Sequence, residues 1–253
     1  MLFINRAIAS LKYHRRNSII TVVGMVFFMI IVLALQMLRQ IETTISTGFM
    51  NNIQGFPKTI QSELQLTIRA MQVTHGTVLN QYAAYIAYTY LAIFIFLVVI
   101  NSISLHHRQS ELKAYSATGK SVSWISLQLF VEYCLLFFIA YVIVFVLGIV
   151  LTFVGTGWLR QVNQHIFLQQ LPDVLSTTQT TAFIKSLFHQ QLTFFNWQEL
   201  LAGNTVTVNR IEIFTSGIRQ SFFSFLSIVI LAIIGSSWVG IHWWRFRQSR
   251  QYR

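Results

Sequence analysis

Four stretches of this chain are each long and apolar enough to cross the hydrocarbon core of a bilayer, which is about 30 Å thick and needs about 20 helical residues. They are Ser18 to Leu38, Tyr82 to Leu105, Trp124 to Phe153 and Phe222 to Trp244. Together they hold one carboxylate, Glu132, and one histidine at the very end, His242. This pattern excludes a soluble globular surface: 54% of the 253 residues are hydrophobic and 10% are charged, where a soluble domain carries about a quarter charged. The single cysteine, Cys134, lies inside an apolar run, so no internal disulfide can form and a cysteine-based metal site has no support. The first span is too long for a secretory signal and no small-residue cleavage site follows it, so it is expected to stay as an anchor.

The net charge of +11 admits two partners, a polyanion or the inner face of a membrane. Where the charges sit decides between them. With four spans, residues 1–17, 106–123 and 245–253 share one side, and 39–81 and 154–221 share the other. The first set carries 11 Lys/Arg in 44 residues, with Glu111 its one acid, while the second carries 7 in 111 residues beside five acids. Because basic residues accumulate on the cytoplasmic side, both termini are expected to be cytoplasmic. The charge excess is then a matter of topology, and nucleic-acid binding is not expected.

The fold expected is an all-α membrane protein. Residues 1–17 set Leu2, Phe3, Ile4, Ala7, Ile8 and Leu11 against Arg6, Lys12, Arg15 and Arg16, which reads either as a cytoplasmic interfacial helix or as a flank that merely orients the first span. Span one covers 18–38. Residues 39–81 read as an outer stalk hairpin, with Leu38, Ile41, Ile45 and Phe49 continuing the span and the breakers Gly48, Gly55 and Pro57 making a turn. Beyond it Leu64, Ile68, Met71, His75, Val78 and Tyr82 recur at spacings of three and four, a coiled-coil type of seam. It leads into span two, 82–105. A cytoplasmic loop, 106–123, connects to span three, 124–153. A small second outer subdomain, 154–221, then precedes span four, 222–244, and a cytoplasmic tail, 245–253. Within that subdomain a helix from Ser176 to about Gln190, a capped start at Asn196 with Glu199 and a stop at Gly203 are expected, while partial alternation over Thr205 to Phe214 reads as a weak strand.

Chemistry is largely absent from this pattern. Ala117-Thr118-Gly119-Lys120-Ser121 looks like the end of a phosphate-binding loop, but Ala114 stands where the first Gly belongs and no strand precedes it. Any ATP must therefore bind another chain. His106 and His107 are adjacent and point to different sides of a helix, and His75, His165 and His189 have no metal-ligand spacing. No paired carboxylates and no nucleophile with its base can be assembled, so no catalytic residue is expected. Glu132, alone within a span, reads either as a proton or cation site or as a hydrogen-bond partner for Asn101, Ser102 or Ser104. Gly148, Thr152, Gly155 and Gly157 permit close helix approach.

The cytoplasmic loop carries a resemblance. Arg108-Gln109-Ser110-Glu111-Leu112, followed by Ala117-Thr118-Gly119-Lys120-Ser121 and then Ile125, Gln128 and Glu132, resembles the signature of FtsX/MacB-type permeases of ABC transporters, the type VII mechanotransmission class. The basic N-terminal helix with Ser10, Leu11 and Lys12, one long span, an outward stalk and three further spans are similar to that architecture. The large periplasmic domain that MacB-type permeases carry between spans one and two has no counterpart here, and the loop between spans three and four is longer than the tight turn of many relatives.

The resemblance implies a non-catalytic permease subunit, dimeric with itself or a related permease, served by two copies of a cytoplasmic ABC ATPase that carry the ATP and Mg. It implies that Arg108, Glu111, Leu112, Ala117, Gly119, Lys120 and Ser121 couple to that ATPase, in the cytoplasmic membrane of a bacterium. It also implies export or extraction of a hydrophobic or amphipathic compound such as a peptide, lipid, antibiotic or haem; the aromatic residues Phe167, Phe183, Phe188, Phe194, Phe195 and Trp197 suit such cargo or a buried core or interface. The alternative is a signal transmitter of the FtsX kind that controls an extracellular cell-wall hydrolase, and a third reading is a membrane scaffold without an ATPase. No cofactor and no metal are expected in this chain.

Overall fold

A computed structural model describes residues 2–54, 58, 65–170 and 210–251. Among the described residues there is no strand, and six helices are seen: α1 (Leu2–Tyr13), α2 (Arg15–Gln54), α3 (Gln65–His107), α4 (Gln109–Ala117), α5 (Val122–Gln170) and α6 (Arg210–Gln251). Four of them hold stretches long and apolar enough to cross a membrane: Arg15–Asn51, Ile68–His107, Val122–Val150 and Ile211–Ile241. The shortest has 29 residues, which at ~1.5 Å per residue exceeds the bilayer core by several residues. These are the marks of a multi-pass membrane protein.

The helices run past the limits expected from the apolar stretches. Gly48 lies inside α2 rather than at a turn. A lone Gly costs a helix only about 1 kcal/mol, and the buried row Leu38, Ile41, Ile45 and Phe49 holds the helix on both sides of it. Likewise α5 continues through 154–170, part of the expected second outer subdomain. Residues 210–214, read as the end of a strand, open α6 instead. The alternation of Ile211 and Ile213 was too short a window: over a longer stretch Ile213, Phe214, Gly217, Ile218, Ser221 and Phe225 are buried at helical spacing. The helix expected over 176–190, the cap at Asn196 with Glu199, Gly203, and Gly55, Pro57 and Leu64 fall outside the described residues, as does most of the aromatic set except Phe167.

The chain divides into two compact units, and the four long helices contribute residues to both. Unit 1 comprises Met1–Val32, Ala87–Gly148 and Ile218–Arg253. Its interior is apolar, with Met25, Met29, Ile93, Leu97, Phe137, Phe225, Val229 and Ile233 buried. Its exterior is apolar as well: Val23, Phe27, Leu91, Val99, Phe138, Val142, Leu231 and Val239 are exposed. An apolar surface of this kind fits hydrocarbon as its solvent, not water. Within this unit Gly24 lets α2 approach α3, since a Cβ at that position would run into the Phe96 ring. Unit 2 comprises Leu33–Ile86 and Ile149–Gly217. Met37, Ile41, Ile45 and Phe49 of α2, Met71, Val78 and Tyr82 of α3, Leu159 and Phe167 of α5 and Ile213 of α6 are buried there.

The candidate coupling elbow and a buried polar network

The segment expected to couple to an ATPase is a folded elbow of unit 1. After α3 ends at His107, Arg108 interrupts the helix and α4 follows for nine residues. Its end explains the Ala-Thr-Gly-Lys-Ser run. Gly119 has φ +74°, a left-handed conformation that suits glycine, and the Lys120 N–H donates to the Tyr115 carbonyl five residues back at 3.1 Å. That is a Schellman-type close of α4. Ser121 then caps α5: its hydroxyl accepts from the Trp124 N–H at 3.2 Å and its carbonyl accepts from the Ile125 N–H. Leu112, Val122, Ile125 and Leu129 pack with Leu105 and Ile241 in one core, flanked by Tyr115 and Trp124.

The residues of the elbow divide by burial. Ala117, Gly119 and Ser121 are exposed, and Lys120 lies over the Trp124 ring, 4.8 Å from its centroid. Leu112 is buried in the core, and Arg108 is buried too. The Arg108 guanidinium donates through Nη1 to Glu132 Oε2 at 2.6 Å and to the Ser10 hydroxyl at 3.2 Å. Glu132 is thus held by a charged partner and not by Asn101, Ser102 or Ser104. Asn101 donates instead to Ser236 and Ser237, at 2.7 and 3.0 Å, and Ser102 donates to the Val98 carbonyl of its own helix. A carboxylate in an apolar interior gains more from a guanidinium than from a neutral amide or hydroxyl, and Arg108 stands at the break where its side chain is free to turn inward.

A second interruption answers the first. His14 separates α1 from α2, and the Ser18 hydroxyl donates to the Leu11 carbonyl and to the His14 carbonyl, which also accepts the Ser18 N–H. The His14 ring reaches Glu111 of α4, Nε2 to Oε1 at 2.8 Å, while Arg108, at the other break, reaches Ser10 of α1. The two breaks therefore clasp each other's helices, and Glu111 faces α1. His14 does not stand out in the sequence, and Ser10 entered only through the permease resemblance; the local signal is a polar pair, at i and i+4, on the face that also buries Ala7.

Unit 2 holds a polar network of its own. The stalk residues Met71, His75, Val78 and Tyr82 are buried and Ile68 is half-buried. His75 Nδ1 lies 2.5 Å from Glu42 Oε1, the Asn163 amide donates to Glu42 Oε2 at 2.7 Å, and the Tyr82 hydroxyl donates to Asn163 Oδ1 at 2.7 Å. As a carboxylate Glu42 offers only acceptors, so both neighbours donate to it. The His75 ring packs on Phe167, 4.6 Å between centroids, and on Phe49, and its Nε2 has no hydrogen-bond partner. Three helices meet in this network. Glu42 and Asn163 were not singled out by sequence, although Glu42 sits on the buried row Leu38, Ile41, Ile45, Phe49, where a carboxylate is out of place. Phe167 belongs to this packing. Among the small residues of span three, Thr152 and Gly148 are buried, whereas Gly157 is exposed with open space beside it.

Comparison with protein-family models, with curated proteins and with solved structures returned no match.

Proposed function

We propose that this chain is the permease subunit of an ATP-driven transporter of the FtsX/MacB type, which couples a separate cytoplasmic ATPase to export or extraction of a hydrophobic or amphipathic compound. The observation that carries this reading is the elbow at 108–121. It is short, closed by its own hydrogen bonds, anchored by a buried ion pair, and set between two helices that each contribute to both units. A rigid element of that kind can pass a displacement into long helices without bending itself. The resemblance of its residues to the permease signature supplies the partner: two ATPase copies holding ATP and Mg, with a second permease copy completing the assembly. In this reading the termini and the elbow are cytoplasmic, and Ala117, Gly119, Lys120 and Ser121 offer the contact surface. This chain contributes no catalytic group.

The test is isolation of the tagged full chain from its native membrane in mild detergent, followed by identification of bound proteins and measurement of ATP hydrolysis. An ABC ATPase at equal stoichiometry is expected, with turnover that rises when amphiphilic compounds are added. Recovery of the chain with no ATPase would refute the reading. Turnover that responds to a protein partner and ignores amphiphiles would replace transport with signal transmission.

A further inference from the structure

We propose that Arg6 and Lys120, both held over the Trp124 ring, form a binding site for the phosphate of an anionic phospholipid. The Arg6 guanidinium carbon lies 5.6 Å from the ring centroid and the Lys120 ammonium 4.8 Å, so one aromatic platform gathers a cation from α1 and another from the turn after α4. Tyr115 packs edge-on against the same ring and fixes it. Both cations thus lie close to one ring, and an anion bound beside it would be attracted by each of them. Unit 1 contains two acidic side chains, Glu111 and Glu132, and each already has a basic partner, His14 and Arg108. Unit 1 thus has no further acidic side chain to offer the exposed bases of α1 and its flank, Arg6, Lys12, Arg15 and Arg16.

The position of Trp124 identifies the source as lipid. Trp124 opens the apolar run of α5, and Leu127, one turn on, is 51% exposed. The exposed apolar stripe continues through Phe138, Val142 and Phe145 at helical spacing. A phosphate held at Trp124 thus has hydrocarbon-facing side chains on one side of it and cations on the other, the division that a phospholipid presents at the headgroup boundary. Ile4 and Ile8, both exposed on α1, give that helix an apolar flank for the same boundary.

The experiment uses the full chain, exchanged into mild detergent and analysed by native mass spectrometry after addition of phosphatidylglycerol or phosphatidylcholine. Wild type should retain phosphatidylglycerol in preference, and the double variant Arg6→Gln/Lys120→Gln should lose roughly tenfold to thirtyfold of that retention, from two basic contacts near a charged surface. Trp124→Leu keeps both charges and should weaken retention less. Lys12→Gln, an exposed base of α1 that is not over the ring, should cost at most about fivefold, the general attraction of one base near a charged surface. Equal losses for Lys12→Gln and for the double variant would mean general charge attraction and overturn the site. Displacement of the lipid by millimolar inorganic phosphate would assign the cations to a soluble anion and overturn the lipid reading, as would equal retention of the two lipids by wild type.

Discussion

Arg108 Nη1 and Glu132 Oε2 meet at 2.6 Å with the two side chains 8% and 2% exposed, an ion pair that ties the break after α3 to α5. Each partner depends on the other. Removing one charge leaves its mate uncompensated in an apolar interior, which costs about 3–5 kcal/mol, whereas replacing both by apolar side chains of similar volume is often neutral or better. Arg108→Met and Glu132→Leu should therefore each lower the thermal unfolding midpoint of the detergent-solubilised chain markedly. The double variant should recover most of the loss. Additive losses in the double variant would show that the two side chains do not act as a pair.

The unit 2 network should behave cooperatively. Tyr82→Phe removes one donor at its end, a loss of about 0.5–1.5 kcal/mol. Glu42→Leu strands both the His75 ring and the Asn163 amide and should cost more, about 1–3 kcal/mol for each buried polar group left without its partner. A double-mutant cycle between Glu42→Gln and Asn163→Ala, read by hydrogen exchange of residues 65–86, should show coupling of about 0.5–3 kcal/mol. Simple additivity would mean that the two are independent.

Gly119 offers a conformational test free of packing. Its φ is +74°, and a Cβ there would meet nothing within 4 Å, so any cost of substitution is backbone strain. The left-handed conformation costs L-residues about 1–2 kcal/mol, less for Asn. Gly119→Asn should be tolerated best, Gly119→Ala less well and Gly119→Val worst, measured as thermal midpoints and as protease sensitivity of the turn. An equal effect of Asn and Val would show that the left-handed turn is not what requires glycine.

Four spans were legible in the sequence because an unbroken apolar run of about 20 residues suits a membrane helix and little else. The run Ala117 to Ser121 was met as a truncated phosphate-binding loop and as part of a permease-like signature, although Gly119 and Ser121 carry the chemistry of a helix stop and a helix start. Further features were hidden for physical reasons. Gly48 resembles a breaker, but the packing of Ile41, Ile45 and Phe49 on both sides overrides its weak propensity. The partner of Glu132 lies 24 residues away, at a break where local periodicity says nothing about side-chain direction. His14 and Glu111 are 97 residues apart. Glu42 was passed over although its signal was local: a carboxylate on an apolar row whose burial demands a partner, a demand that Asn163 and His75 meet from two other helices.

Glu111 separates stability from coupling. Its contact with His14 is short, yet the two side chains are 35% and 15% exposed, and a partly exposed pair of this kind contributes about 0–1 kcal/mol. Glu111→Gln should then leave the thermal midpoint almost unchanged. If the elbow transmits the action of an ATPase, the same substitution loosens α4 from α1, and the ATP turnover of the isolated complex should become less responsive to amphiphilic cargo while basal hydrolysis persists. Glu111→Lys places a cation beside His14, Arg108 and the other bases of this region and should have the larger effect, uncoupling the complex with only a modest loss of stability. A large drop in thermal midpoint for Glu111→Gln would assign the residue to structure alone, and unchanged coupling in both variants would remove the α1–α4 clasp from the transmission path.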